Sequence, residues 1–369
     1  MKPCVCRSRV WIAAVALAVP LMAGCEGLTY VAQLAQGQLR VQGHTEPIDQ
    51  VLASGQLSDA DAAKLRLIVS ARDFAANTIG LTVGQSYTTF YDTGGDPLAW
   101  NLTAARRDAL VPKTWTFPIV GEVPYLAFFD QKYLQSYQQQ LEGEGYDTLT
   151  YELDAYSTLG IFADPVRSPM LKRDPLSLSE TIIHELLHNT IYRSGDTNFN
   201  ESLATFVGRE GAIEFLRAQF GDASGWPALA IKYYADTDAV NAFLIQVYND
   251  LVAYYAQPLS ADDKIAGRDA VFTAERSRFV SDIQPTLNYP DVFASYGQFP
   301  TNNAWVLENY RYNLNLSVFA DVYAATGHDW GQALTVYRAA ASGQGDPFAY
   351  LQQWLAQQGG SAARAAIRG

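Results

Sequence analysis

The sequence predicts an α+β fold, with a small mixed β-sheet in the N-terminal half and an all-α C-terminal half. Short segments rich in aromatic and β-branched residues, bounded by Gly, Pro and Asp, fill residues 86–153. From residue 196 onward, apolar residues recur at helical spacing. They predict helices over 201–220, 226–256, 260–283, 316–326, 330–341 and 348–358, with a loop rich in Pro, Tyr and Asn at 285–301. Between these regions, residues 177–195 carry apolar side chains around most of a helical circumference, which is typical of a buried helix. A strand-rich region followed by a helical one is the order expected for this class.

The composition is that of a globular protein with a large core. The chain has 369 residues, of which 49% are hydrophobic and 17% charged, and its formal net charge is −12. Nucleic acid is not an expected partner, because binding it requires clustered Lys and Arg.

The first 24 residues have the pattern of a secretory signal. A basic start precedes an apolar run at residues 10–22, which is too short to span a membrane with these flanks. The run ends in Leu-Met-Ala-Gly-Cys, which resembles a bacterial lipoprotein box with Cys25 as the lipidated residue. Ordinary secretion with cleavage near Ala23 or Gly24 is the alternative. Cys4 and Cys6 would leave with the signal, so the remaining chain would have no thiol nucleophile.

The elements of the N-terminal half follow from local patterns. Periodicity predicts helices over 26–40 and 58–77, whose role stays open. Alternation and composition predict strands and one further helix. The predicted strands cover residues 87–91, 98–103, 115–120, 125–129 and 147–153, and the helix covers 130–144. Residues 155–160 either extend the sheet, where an edge strand would hold a peptide, or form a loop.

The central helix contains His184-Glu185-Leu-Leu-His188, a signature of the H-E-x-x-H type. Ser177 and Glu180 match a capping box at its start, and Gly195 suits its end. Two histidines four residues apart lie on one helix face, so both imidazoles can bind one zinc ion. Glu185 is displaced from that face and is the expected general base toward water.

A catalytic zinc ion normally has a third protein ligand, and Glu201 is the best candidate. A short turn after Gly195, with Asn198 or Asn200 as the next helix cap, would return Glu201 to His188. Glu201 could instead be the acidic partner of a capping box. Asp196, Glu210 and His328 are weaker ligand candidates.

Residues 125–210 resemble the bacterial putative aminopeptidase family of gluzincin-like lipoproteins. The shared features are Ala-Tyr-Ser-Thr-Leu-Gly at 155–160, the H-E-x-x-H helix, Gly-Asp-Thr at 195–197 and Phe-Asn-Glu-Ser at 199–202, with a later block at Asn302-Asn303-Ala304 and Tyr312. The resemblance implies a zincin-like peptidase that binds one zinc ion through His184, His188 and Glu201, with Glu185 as base. Whether it acts as an exopeptidase or an endopeptidase stays open.

A further donor should stabilise the oxyanion of the reaction. Tyr312 is the first candidate, Tyr310 the second and Tyr156 the third; the last two would also contact substrate. The expected function is thus a zinc peptidase acting on peptides in the cell envelope, anchored by lipid at the periplasmic face of the outer membrane and without a transmembrane helix. A non-catalytic lipoprotein with a structural metal site is the alternative. The expected divisions after the signal are 25–82, 83–195 and 196–369.

Overall fold

A computed structural model describes residues 25–95, 97, 99–117, 121–153, 163–311 and 316–368. The predicted signal, residues 1–24, and the stretch 155–160 lie outside these residues. The helices are α1 (Cys25–Gly43), α2 (Ile48–Ser54), α3 (Asp59–Phe74), α4 (Gln131–Gly143), α5 (Pro175–His188), α6 (Thr197–Phe220), α7 (Trp226–Tyr255), α8 (Ala261–Arg278), α9 (Asn303–Arg311), α10 (Leu316–Ala325), α11 (Trp330–Ser342) and α12 (Pro347–Arg368). In the described part of the chain, no helix combines the length and the hydropathy that crossing a bilayer requires.

The strands are short. They are β1 (Glu46–Pro47), β2 (Thr89–Tyr91), β3 (Ala99–Arg106), β4 (Trp115–Phe117), β5 (Gly121–Val123), β6 (Tyr125–Phe128), β7 (Tyr146–Leu153) and β8 (Val166–Arg167). All described strands precede α5, and the described residues from 197 onward form helices and their connections. The predicted α+β class, with strands before the central helix and helices after it, is therefore confirmed.

Among the described residues the strands form three small sheets, rather than the one sheet that the sequence predicted. An antiparallel sheet has the order β6-β3-β7, a mixed sheet has the order β1-β2-β8, and β4 with β5 forms a hairpin. In the first sheet Leu102 of β3 lies between Leu126 and Thr150. In the second, β2 runs parallel to β8, with Phe90 opposite Val166. Pairing over such sequence distances depends on the tertiary fold and has no local signal.

A buried ion pair fastens the first sheet to the C-terminal helices. Asp147 of β7 accepts hydrogen bonds from both terminal nitrogens of Arg268 in α8, at 2.6 and 2.9 Å, and from the backbone N–H of Asn303 at 2.8 Å. Asn303 in turn donates to the carbonyl of Arg106 at 2.8 Å. A bidentate Arg–carboxylate pair fixes orientation as well as distance, so β7, α8 and α9 are held in one arrangement.

Helix α1 covers the free edge of β6. The hydroxyl of Tyr30 accepts a hydrogen bond from Ala127 N–H at 3.1 Å. Gln33 donates to the carbonyl of Ala127 at 3.1 Å and accepts from Phe129 N–H at 2.9 Å. Two side chains therefore satisfy backbone groups that a neighbouring strand would otherwise satisfy. The sequence left the role of α1 open, and in the structure this helix protects the edge of β6.

The largest hydrophobic cluster surrounds α5 and α6. It is built from α3, α5, α6, α10 and α11, and its fully buried members include Leu65, Ile68, Ile182, Ile183, Phe199, Leu203, Phe319 and Tyr337. Ten consecutive residues of α6, 199–208, are buried, so this helix runs through the interior of the protein. Polar side chains on such a helix need partners inside the fold.

Several helix bounds differ from those predicted. Helices α2 and α9 were missed; α9 follows the Pro-, Tyr- and Asn-rich segment 285–301, which contains only short 3-10 turns. Helix α12 is longer than the predicted 348–358. Helix α3 starts where the sequence predicted, with Ser58 as its N-cap; the Ser58 hydroxyl accepts a hydrogen bond from Asp61 N–H at 3.1 Å. At its other end the helix continues into a π-helical turn, Ala75–Ile79.

Candidate metal centre

The start of α5 is set by Asp174 and Pro175. Asp174 is the N-cap and accepts a hydrogen bond from Ser177 N–H at 2.8 Å. Pro175 occupies the first helical position, where its missing N–H costs nothing. The prediction that Ser177 caps the helix was therefore wrong. Glu180 is consequently free of a capping role and lies one turn before His184.

The end of α5 also differs from the prediction. The helix stops at His188, and Gly195 lies in the following turn with φ +77°. Asp196, rather than Asn198 or Asn200, caps α6 by accepting from Phe199 N–H at 3.1 Å.

The turn between α5 and α6 is fastened by side chains. Asn200 accepts from the backbone N–H of Arg193 and donates to its carbonyl, both at 2.8 Å. The Arg193 guanidinium donates to the carbonyls of Ala341, Gly343 and Gly345 at 3.0, 2.7 and 2.7 Å. Ala341 lies in the last turn of α11, where a cation is favoured, and Gly343 and Gly345 follow in the connection to α12. The turn, and Glu201 just after it, are therefore held by the end of α11 and this connection.

Two glycines of α6 allow it to lie close against α5. A Cβ at Gly208 would be 3.1 Å from the Glu180 carbonyl oxygen and 3.2 Å from the His184 Cβ. A Cβ at Gly211 would meet side-chain atoms of Ile79 and Ile183 at 2.7 and 3.1 Å. Gly208 follows Glu201 by two helical turns and so shares its face. The close helix contact at Gly208 therefore helps to set the distance between Glu201 and the histidines.

Three ligand atoms converge between the two helices. His184 Nε2 and His188 Nε2 lie 3.3 Å apart. Glu201 Oε2 lies 3.3 Å from His184 Nε2 and 3.6 Å from His188 Nε2. Tetrahedral ligands at zinc distances of about 2.0–2.1 Å lie roughly 3.3–3.4 Å from one another. The spacing of these atoms therefore fits one metal ion, and among the described residues they form a group able to hold one.

The electrostatics of the group are those of a buried, mutually stabilised set. Burial acts to raise the pKa of Glu201, but the charges and hydrogen bonds of His188 and His184 outweigh it and hold that pKa well below its usual range. For His184 burial acts to lower the pKa, yet the hydrogen bond to Glu201 and the charge of Glu185 leave it raised. His188 Nδ1 is buried and has no hydrogen-bond partner among the described residues. Binding of a metal ion to such a group competes with protons for the imidazole nitrogens.

The weaker ligand candidates lie elsewhere. Asp196 serves as the α6 cap. His44 is bound to the carbonyl of Arg40 through Nδ1 at 2.7 Å. His328 has φ +61° and packs against the ring of Tyr323. Within the described chain, Glu210 and Glu185 are not part of the ligand group. Glu185 is half-buried, next to His184 on the same helix.

Of the three predicted tyrosines, the structure describes one, Tyr310. Tyr156 and Tyr312 lie outside the described residues. Tyr310 stacks on Tyr248, with ring centroids 4.1 Å apart. Sequence reasoning missed two tyrosines beside the ligand group, Tyr125 and Tyr192.

Burial raises the pKa of both Tyr125 and Tyr192, and the charge of Glu201 raises it further in each. Both phenols therefore stay protonated as hydrogen-bond donors. Tyr125 begins β6, and the Arg311 guanidinium lies 5.9 Å from its ring centroid. Neither had a local signal, because Tyr192 lies beyond the end of α5 at His188 and Tyr125 belongs to a distant strand.

Comparisons with known proteins give one match. A family model described as "Putative aminopeptidase" matches residues 29–344. The comparisons with curated proteins and with solved structures returned no match.

Proposed function

The chain belongs to the putative aminopeptidase family, and on that premise we propose that it is a zinc-dependent peptidase. His184, His188 and Glu201 hold one zinc ion, and Glu185 is the general base. The observation that carries this proposal is the convergence of two imidazole nitrogens and one carboxylate oxygen at 3.3–3.6 Å. A zinc ion bound there supplies Lewis acidity, which lowers the pKa of water and polarises a carbonyl.

The place of Glu185 on the helix supports its proposed role as general base. It follows His184 directly, so its side chain points about 100° away around the helix and lies beside the ligand group rather than within it. It is half-buried, which leaves it accessible to water and substrate. In the proposed reaction, the Glu185 carboxylate accepts a proton from the attacking water and then donates it to the leaving amine.

Tyr125 and Tyr192 join Tyr312 as proposed donors to the oxyanion. Their raised pKa values keep the phenols protonated, and both lie near Glu201. A donor of this kind contributes on the order of 3 kcal/mol to the stabilisation of a transition state. Tyr312 remains a prediction from the sequence.

A purely structural metal site is the alternative function. Structural zinc ions are usually held by four protein ligands, whereas catalytic ones have three and an open position. Among the described residues the ligand group contains three members. This count favours a catalytic site.

The lipid at Cys25 and the envelope location belong to the proposal as well.

The test is the Glu185→Gln variant, measured beside the native protein. We expect both to contain about one zinc ion per chain, while the variant hydrolyses a mixed peptide library about 100- to 10,000-fold more slowly. Chelator should abolish hydrolysis by the native protein. Glu144→Gln, at an exposed residue of the α4–β7 turn, is the matched control and should keep full activity. Zinc-independent hydrolysis, or full activity of Glu185→Gln, would contradict the proposal.

A further inference from the structure

Helix α5 has a polar, partly exposed stripe that extends beyond the metal centre. Its members are Ser177, Glu180, Thr181, His184 and Glu185, while the other residues between Leu176 and Leu187 are buried. Glu180 and His184 are one turn apart on the same face, separated by about 6 Å along the axis. That distance is roughly the length of two extended residues, so Glu180 lies within reach of groups flanking a scissile bond.

The carboxylate of Glu180 is oriented but only partly satisfied. Tyr234 of α7 donates its hydroxyl to Glu180 Oε2 at 3.1 Å. Burial and the charge of Glu180 raise the pKa of Tyr234, so this hydroxyl stays protonated and continues to donate. Among the described residues no hydrogen bond reaches Oε1; its nearest cation is Arg209 Nε, at 3.8 Å. The Glu180 side chain as a whole is 27% exposed.

Arg209 does not neutralise Glu180. Its terminal nitrogen is bound to Asp238 Oδ1 at 3.0 Å, and its Nε has no hydrogen-bond partner in the described chain. Two carboxylates therefore share one guanidinium, and the cluster of Glu180, Asp238 and Arg209 carries one net negative charge. Glu180 therefore keeps one carboxylate oxygen without a hydrogen bond in the described chain, one helical turn before His184.

We infer that Glu180 is a specificity-determining residue that binds a cationic group of the substrate beside the scissile bond. This rests on the proposed peptidase function. The group is an ammonium or guanidinium, which pairs with a carboxylate through charge-assisted hydrogen bonds. It comes either from the free N-terminus of a peptide or from a Lys or Arg side chain next to the cleaved bond. Tyr234 is a positioning residue that holds Oε2 and turns Oε1 toward the substrate.

The test compares Glu180→Gln with the native protein on matched peptides. One pair has the same neutral sequence with a free or an acetylated N-terminus. A second, acetylated pair carries Lys or norleucine next to the cleaved bond. Glutamine keeps the shape and can still accept from Tyr234, so only the charge is lost. We expect kcat/KM to fall by about 10- to 100-fold on the cationic member of one pair, mainly through KM, and to stay unchanged on neutral peptides.

The pair that responds identifies the source of the cation. Glu144→Gln, at the exposed residue of the α4–β7 turn, removes one negative charge away from this cluster; it is the control and should leave the preference intact. Tyr234→Phe should weaken the preference in the same direction but less, with zinc content unchanged, and it tests the inference even if Glu180→Gln fails to fold. Equal losses on all peptides, or no loss on any, would overturn the role of Glu180. A native protein without zinc-dependent hydrolysis would overturn the peptidase proposal itself, and this inference with it.

Discussion

Replacing Gly208 by Ala tests whether the close contact of α5 and α6 sets the metal geometry. The new Cβ would lie 3.1 Å from the Glu180 carbonyl oxygen and 3.2 Å from the His184 Cβ. The first atom belongs to the α5 backbone and the second is attached to it, so neither can rotate away from the new methyl group. The clash is relieved only if the two helices separate by a few tenths of an ångström. The separation would displace His184 relative to Glu201, whose ligand atoms are 3.3 Å apart.

The variant should lose more metal affinity than stability. Ala favours the helix by about 1 kcal/mol over Gly, while overpacking costs about 1–3 kcal/mol, so the net loss of unfolding free energy is roughly 0–2 kcal/mol. Disturbing the residues that orient metal ligands typically weakens binding by about 10- to 100-fold. Competition titration with a zinc chelator, together with urea unfolding of the metal-free protein, measures both quantities.

Gly211→Ala is the matched control on the same helix. Its Cβ would meet the side-chain methyl groups of Ile79 and Ile183, which can turn away without moving the backbone. It should therefore keep zinc affinity within about twofold while changing stability by a similar amount. Equal zinc affinities in the native protein and in both variants would refute the spacing role of Gly208.

Three further predictions concern the ligands and the ion pair that joins sheet to helices. Glu201→Gln should lower zinc affinity by at least about 100-fold in the same titration, because it removes a charged ligand. Since the raised pKa of His184 means that metal must displace a proton, zinc affinity should rise as pH increases from 5 to about 8; a flat or falling profile would contradict this. Asp147→Ala should cost about 3–5 kcal/mol of unfolding free energy by leaving Arg268 buried without its carboxylate, with zinc affinity unchanged; a loss below about 1 kcal/mol would show that the pair is replaceable.

Local signals predicted most helices and the order of the two halves. The helices predicted to start at Ser58, Asp130 and Ser260 do start there, and each of these residues is an N-cap whose side chain accepts a hydrogen bond from a backbone N–H. At α5 two signals competed, an Asp-Pro pair and a capping box three residues later. The fixed φ of proline and the Asp174 side chain determined the start, so the helix begins earlier than predicted.

The group of His184, His188 and Glu201 could be predicted because its spacing is local, whereas the tyrosines near it could not. His184 and His188 are on one helix, and Glu201 follows after one turn, so periodicity and a short connection suffice. Tyr125 belongs to a distant strand and is one of 22 tyrosines. Its place beside Glu201 depends on how β6 and α9 pack, which no local pattern contains. The division into three sheets was missed for the same reason.

Arg193 links the C-terminal part of the chain to the candidate metal centre. One guanidinium ties the turn that presents Glu201 to carbonyls in the segment 341–345. A protein truncated before residue 341 would keep every predicted catalytic residue, but the Glu201 carboxylate would lose its fixed position. Stepwise truncation from the C-terminal side should therefore abolish activity once it removes residues 341–345, long before it reaches the histidines.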